Sequence, residues 1–170
     1  MFTRTMLALG LGLSLGFGLA LSGAASAQDV IRHRTPGSTF PIAAAVEVPA
    51  GKTLVYLSGM VPRVANEQAP RNSLAAFGDT KTQTVSVLQA IGETLQRVNL
   101  SMKDVVKMQA FLVPDPAKDN RMDFAGFMEG YTQFFGTPEQ PNLPSRSVMA
   151  VAGLVNPGWL VEIEVTAVRP

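Results

Sequence analysis

Cysteine is missing from all 170 residues. No disulfide can brace the fold, and thiol nucleophiles, iron–sulfur clusters and thiolate zinc sites are excluded. Histidine occurs once, at His33, between Arg32 and Arg34. It reads as a solvated residue near the start of the mature chain and gives no support for a Ser-His-Asp triad or a multi-histidine metal site. Charge of one sign is also lacking, with 14 Lys and Arg against 13 Asp and Glu. No stretch has the basic density that a nucleic-acid partner requires.

The chain opens on an address. Arg4 precedes a Leu/Gly/Ala-rich run from Leu7 to Leu21, and Ala25-Ser26-Ala27 follows as an Ala-x-Ala site. Residues 1–27 are expected to be a secretory signal peptide cut after Ala27. The destination is then periplasmic or secreted, with no stable membrane span after processing. The competing reading is a retained anchor, but the run is short and rich in glycine against the ~20 apolar residues a span needs. Residues 28–170 are expected to form a single domain. Without disulfides, it must be held by its core or by oligomerisation.

The mature chain alternates extended and helical patterns. Gln28–Ser38 is polar and reads as loose. Pro41–Val48 and Thr53–Leu57 flank the turn Pro49-Ala50-Gly51-Lys52 and are expected to pair as an antiparallel hairpin. Pro62–Asp79 reads as a long loop of the functional or mobile kind. Val85, Leu88, Ile91, Leu95 and Val98 recur at helical spacing, predicting a helix over Thr80–Asn99 with Gln83, Gln89, Glu93 and Gln96 outside. Ser101–Asp104 predicts a capped turn, and Val105–Val113 a strand. A second helix starts near Asp119 or Asn120 and reaches Phe135, with Phe124, Phe127, Met128, Tyr131 and Phe135 as its core stripe.

Two more strands close the chain, in the runs 144–152 and 159–170, around Gly153–Gly158. They are expected to be neighbours. By period-two alternation, Arg146, Val148 and Ala150 share a face of the first. Glu162, Glu164 and Thr166 share a face of the second, opposite Val161, Ile163 and Val165. The order predicts an α+β fold, a mixed sheet with two helices on one face. On chemistry alone, Arg146 either grips an anion or pairs with a nearby glutamate, and Glu162 and Glu164 either serve a site, are solvated, or pair with Arg or Lys.

Several of these segments together resemble the RidA/YjgF family, the reactive-intermediate deaminases also described as L-PSP endoribonucleases. They are Val55-Tyr56-Leu57-Ser58-Gly59-Met60-Val61-Pro62, Asp104-Val105-Val106-Lys107, Tyr131-Thr132-Gln133-Phe134-Phe135, Pro144-Ser145-Arg146-Ser147-Val148 and Val161-Glu162-Ile163-Glu164-Val165-Thr166-Ala167-Val168-Arg169. The resemblance spans nearly all of the mature chain. It implies a chorismate-mutase-like α+β fold, a homotrimer, and sites in clefts between subunits. It also implies hydrolysis of 2-imino acids or their enamine tautomers to 2-oxo acids and ammonia, with no metal or organic cofactor. Other members bind small ligands with no established turnover.

Carried over by position, Arg146 corresponds to the arginine that grips the substrate carboxylate. Glu162, rather than Glu164, corresponds to the glutamate that positions water. Ser58, Gly59 and Val148 correspond to positions lining the pocket through main-chain groups. Two departures stand out: Ile42 where many active members carry tyrosine, and Met128 where many carry asparagine. Both exchange a polar pocket group for an apolar one, which implies either a more apolar acid or binding without turnover. The residues 62–79 also look long for the family and are expected to cover or reshape the cleft. Ribonuclease activity, the older description, has no histidine pair or basic surface to support it.

Overall fold

The computed structural model describes residues 29–170. The expected leader, residues 1–27, lies outside the described residues. Nine helices and strands follow, separated by turns: β1 (Ile31–His33), β2 (Ala45–Glu47), β3 (Leu54–Met60), α1 (Leu74–Phe77), α2 (Thr80–Arg97), β4 (Val105–Leu112), α3 (Phe124–Tyr131), β5 (Ser145–Ala150) and β6 (Val161–Val168). Four strands form a sheet in the order β3-β6-β4-β5. The central β6 runs antiparallel to both β3 and β4, and β5 runs parallel to β4. The architecture is α+β with a mixed sheet, as expected. No helix among the described residues is long and apolar enough to cross a membrane.

Alternation along β4 and β6 fixes which face is covered. Val106, Met108, Ala110 and Leu112 of β4 are buried, as are Val161, Ile163 and Val165 of β6. Lys107, Gln109 and Phe111 alternate with them, and Glu162, Glu164 and Thr166 do so on β6, all half-buried on the other face. The helices α2 and α3 cover the apolar face. Their own stripes, Val87, Leu88, Ile91 and Leu95 on α2 and Phe127 and Tyr131 on α3, complete the core. Each such large side chain contributes about 1.5–3 kcal/mol by leaving water. The helices approach closely at Gly130, where a Cβ would lie 2.7 Å from Thr84 Cβ.

Asp79 starts α2 by accepting a 2.8 Å hydrogen bond from the Thr82 amide, one of the amides a helix leaves unpaired. Asp123 does the same for α3 through Gly126. That start is later than the expected 119–120, because Asp115 and Pro116 make a separate short turn first. The Ser101–Asp104 turn forms as expected, with the Ser101 amide donating to Asp104 Oδ2 at 2.7 Å.

Four expectations need correction. First, β2 does not pair with β3. It pairs with β1, in the stretch read as loose. Arg32 explains why: its guanidinium donates to the carbonyls of Lys103, Val105 and Leu143, at 2.7–3.1 Å. Those bonds dock the N-terminal ribbon, while the Pro49–Lys52 turn merely reverses the chain. Second, β5 and β6 are not neighbours, since β4 lies between them.

Third, Gln83 is fully buried rather than outward. Its amide donates to the Gly78 and Gly158 carbonyls, and its oxygen accepts from the Leu160 amide at 2.7 Å. Fourth, residues 62–79 are tied down. Their short α1 buries Ala76 and Phe77, the Ala65 and Asn66 amides bond the Ala76 carbonyl, and Arg63 Nη1 pairs with Glu93 Oε1 at 2.8 Å.

Candidate functional site

Arg146 enters from β5, on the face that carries α3, because it sits in register with buried Met108. Its guanidinium is packed among aromatic rings. The Cζ lies 4.1 Å from the Tyr131 ring centre, 5.1 Å from Phe127 and 5.5 Å from Phe40. Nη2 donates toward Met128 Sδ at 3.2 Å, and Nη1 is buried with no hydrogen-bond partner. None of the ion pairs among the described residues includes Arg146. The glutamate-partner reading of this arginine therefore fails. Burial lowers the guanidinium pKa from its usual value, but an arginine stays charged at any physiological pH.

Such a cation lacks its natural complement. Cation–π contacts of this kind contribute about 0.5–2 kcal/mol each and offset part of the desolvation. They do not satisfy the N–H donors, which are strong only toward an anionic oxygen. Tyr131 cannot serve as that oxygen. Its hydroxyl donates to the Pro41 carbonyl at 2.9 Å, and burial pushes its pKa up to about 12, so it remains neutral.

Glu162 enters from β6, in register with Phe111, on the opposite, uncovered face of the sheet. Its carboxylate lies over Gly59, where a Cβ would fall only 2.0 Å from Oε1. Gly59 belongs to a register shift between Leu57 and Met60, where β3 spends an extra residue against β6. Bulges of this kind re-aim side chains and occur beside functional sites. Ser58, in the same bulge, is exposed. Glu164 lies two residues further along, on the same face as Glu162.

The predicted residues therefore form two groups. Arg146 and Met128 meet under α3. Val148 is half-buried on the same face of β5, and Ile42 is half-buried in the segment that passes the start of β5, where the Ala43 amide bonds the Pro144 carbonyl. Gly59, Ser58 and Glu162 meet on the other side of the sheet. Within one chain the groups stay apart: two strand spacings and three residues along β4 separate the Arg146 and Glu162 backbones by about 14 Å, with the side chains directed oppositely. Phe40 was not anticipated, since nothing periodic marks it. Phe127 and Tyr131 were read as core, and they are core, but they also frame the guanidinium. Among the described residues, no three His, Asp or Glu side chains converge as a metal site would require.

Comparison with known proteins identifies the family. The family model for Endoribonuclease L-PSP matches residues 38–169. A RutC family protein of Haemophilus influenzae is 30% identical over 143 residues, covering 84% of this chain and 97% of the relative. One from Pyrococcus horikoshii is 31% identical over 122 residues, covering 72% and 83%. Among solved structures, the Rid family protein YyfB of Yersinia pestis, of unknown function, superposes with a TM-score of 0.60 at 25% identity, covering 82% of this chain and 96% of that one. E. coli TdcF with bound serine gives 0.54 at 29% identity, covering 84% and 99%. Matched by the family model over most of its length and by relatives at 30–31% identity, the chain belongs to the RidA/YjgF family.

Proposed function

We propose that the protein hydrolyses 2-imino acids to 2-oxo acids and ammonia, in clefts completed by a second copy of the chain. One observation carries the reading: a half-buried arginine on β5 with an unpartnered N–H and no protein carboxylate beside it. A bidentate carboxylate is the ligand that satisfies such a fork. The serine bound to the relative TdcF carries that group.

Glu162 supports the two-copy arrangement. It faces away from Arg146 in its own chain, so one ligand can touch both types of residue only if each comes from a different protomer. The uncovered sheet face carries exposed Tyr56 and Met149, apolar surface that association as a homotrimer would bury.

In the reaction, Arg146 holds the carboxylate and sets the orientation. Glu162 accepts a hydrogen bond from water and aims it at the imine carbon. Water adds across the C=N bond, giving a carbinolamine. The C–N bond then breaks, ammonia leaves with the transferred proton, and the C=O bond forms. Placement of water replaces a random encounter with a high effective concentration.

The assay is ammonia release from an imine generated by an amino-acid oxidase. Release should fall at least a hundredfold in Arg146→Ala and Glu162→Gln. Equal rates in wild type and Arg146→Ala would remove the proposal. Sedimentation should give a trimer, and a monomer at micromolar concentration would count against a shared cleft.

A second reading keeps the site and drops the turnover: a trimeric binder of small carboxylates. Met128 favours it, because a thioether beside the guanidinium cannot position water. Ligand-dependent melting without ammonia release would select it. We further propose that the protein acts outside the cytoplasm after loss of residues 1–27. N-terminal sequencing of the exported form should begin at Gln28. Ribonuclease activity, which the family description names, gains no support from His33, which is exposed and hydrogen-bonded to Glu47 at 2.7 Å.

A further inference from the structure

The surroundings of Arg146 define what hangs from a carboxylate held there. We infer that the site selects 2-imino or 2-oxo acids with a large apolar side chain, branched or aromatic, over those with a methyl or hydroxymethyl. The inference rests on the proposed carboxylate clamp and adds the shape of the remainder of the ligand.

The guanidinium is bordered by a continuous aromatic surface that runs outward to solvent. Phe40, 5.5 Å from Cζ, is 42% exposed. It stacks on Phe124, with ring centres 6.5 Å apart and an interplanar angle of 21°, and Phe124 is 36% exposed. Phe124 in turn stacks on Phe127, which is buried and lies 5.1 Å from Cζ of the guanidinium. Met122, 37% exposed, immediately precedes the Asp123 cap, and Met128 supplies its sulfur beside Nη2. A cation flanked by Phe40, with Phe124 stacked beyond it, is the counterpart of an amphiphilic anion, with charge at one end and apolar surface at the other.

Polar groups near this surface are already engaged. The Tyr131 hydroxyl donates to Pro41, and Asp123 accepts the Gly126 amide. A ligand hydroxyl laid over the phenylalanine rings themselves would lose water and gain no hydrogen bond from them, which selects against small polar side chains. An apolar side chain laid over Phe40 and Phe124 displaces water from both rings. Each methylene that packs in such a site discriminates by about tenfold or more.

The test uses calorimetric titration of the intact protein with pyruvate, 4-methyl-2-oxopentanoate and phenylpyruvate, repeated for Phe40→Ala and Arg146→Ala. The two larger acids should bind at least tenfold more tightly than pyruvate. In Phe40→Ala that ratio should shrink toward one. Equal affinities for all three acids in the wild type, with binding lost in Arg146→Ala, would overturn the inference and leave the clamp standing. Binding of none of them, or binding indifferent to Arg146→Ala, would overturn the clamp and the inference together. If Phe40→Ala dissociates the oligomer and leaves the affinity ratio unchanged, the exposed rings serve subunit packing, and the inference is refuted.

Discussion

Replacing Gly59 by alanine should separate chemistry from folding. The added Cβ would sit 2.0 Å from Glu162 Oε1, 2.9 Å from its Cδ and 3.1 Å from its Cγ. Ordinary contact begins near 3.4 Å, so the oxygen must retreat by 3.4 − 2.0, roughly 1.4 Å. Every clashing atom belongs to the far end of a flexible side chain that can swing toward solvent. Gly59 is also not among the glycines with positive φ, so alanine strains no backbone there. A glycine-to-alanine change at a compatible position stabilises by about 0.4–1 kcal/mol through the unfolded chain. The melting temperature should therefore hold or rise by a few degrees. Activity should not. A displacement of about 1 Å in a positioning group can lower the rate by about a hundredfold. The assay is imine-dependent ammonia release beside a thermal melt, for Gly59→Ala, Glu162→Ala and the double variant. If Gly59 acts by seating Glu162, then in the Glu162→Ala background the Gly59→Ala change should have no further effect on rate. Two independent, multiplying losses would refute the reasoning, as would an unchanged rate in Gly59→Ala.

Other outcomes follow from the same geometry. Arg146→Met should abolish carboxylate binding while leaving the melting temperature equal or higher, because a buried cation without an anionic partner is exchanged for an apolar side chain; a fall of several degrees would mean the arginine serves the fold. Gln83→Ala should destabilise by about 3 kcal/mol, since it strips partners from one buried amide and two carbonyls. That corresponds to a fall of roughly 10 °C in the melt. Asp79→Ala removes the α2 cap and should cost about 1 kcal/mol near pH 7. The Thr82 amide holds the Asp79 carboxyl below its usual value, so the stability it adds is present above the unfolded pKa of about 3.9 and is lost as pH falls below it. The gap between wild type and Asp79→Ala should accordingly narrow below about pH 4 in paired melts.

What the sequence made legible follows period and composition. The strand β6 alternates Val161, Ile163 and Val165 against Glu162, Glu164 and Thr166, and its faces come out as read. The helix α2 has a long apolar stripe and a good cap, and it begins at the expected residue. Pairing was harder. The turn at Pro49–Lys52 is present, with Gly51 at positive φ, yet turn chemistry reverses a chain without choosing its partner. The choice was made by Arg32, whose three carbonyl acceptors are 71 to 111 residues away in sequence. Gln83 misled because a glutamine looks solvent-bound until two distant carbonyls and an amide surround it. Arg146 and the Glu162/Glu164 pair stood out by strand position and charge, but only the family resemblance chose between a site and a bland role. The aromatic frame around Arg146 had half a signal: the α3 stripe gave Phe127 and Tyr131, while Phe40 lies in a turn-rich segment without period.

The three carbonyls that Arg32 gathers belong to the stretches leading into β4 and β5, and Leu143 stands three residues before Arg146. The N-terminal ribbon thus acts as a clasp on the segments from which β4 and β5 start. Proteolytic trimming past Arg32 would unfasten both parallel strands at their roots while sparing every residue of the site itself. A chain so shortened would keep Arg146 and lose the brace at the root of the strand that carries it.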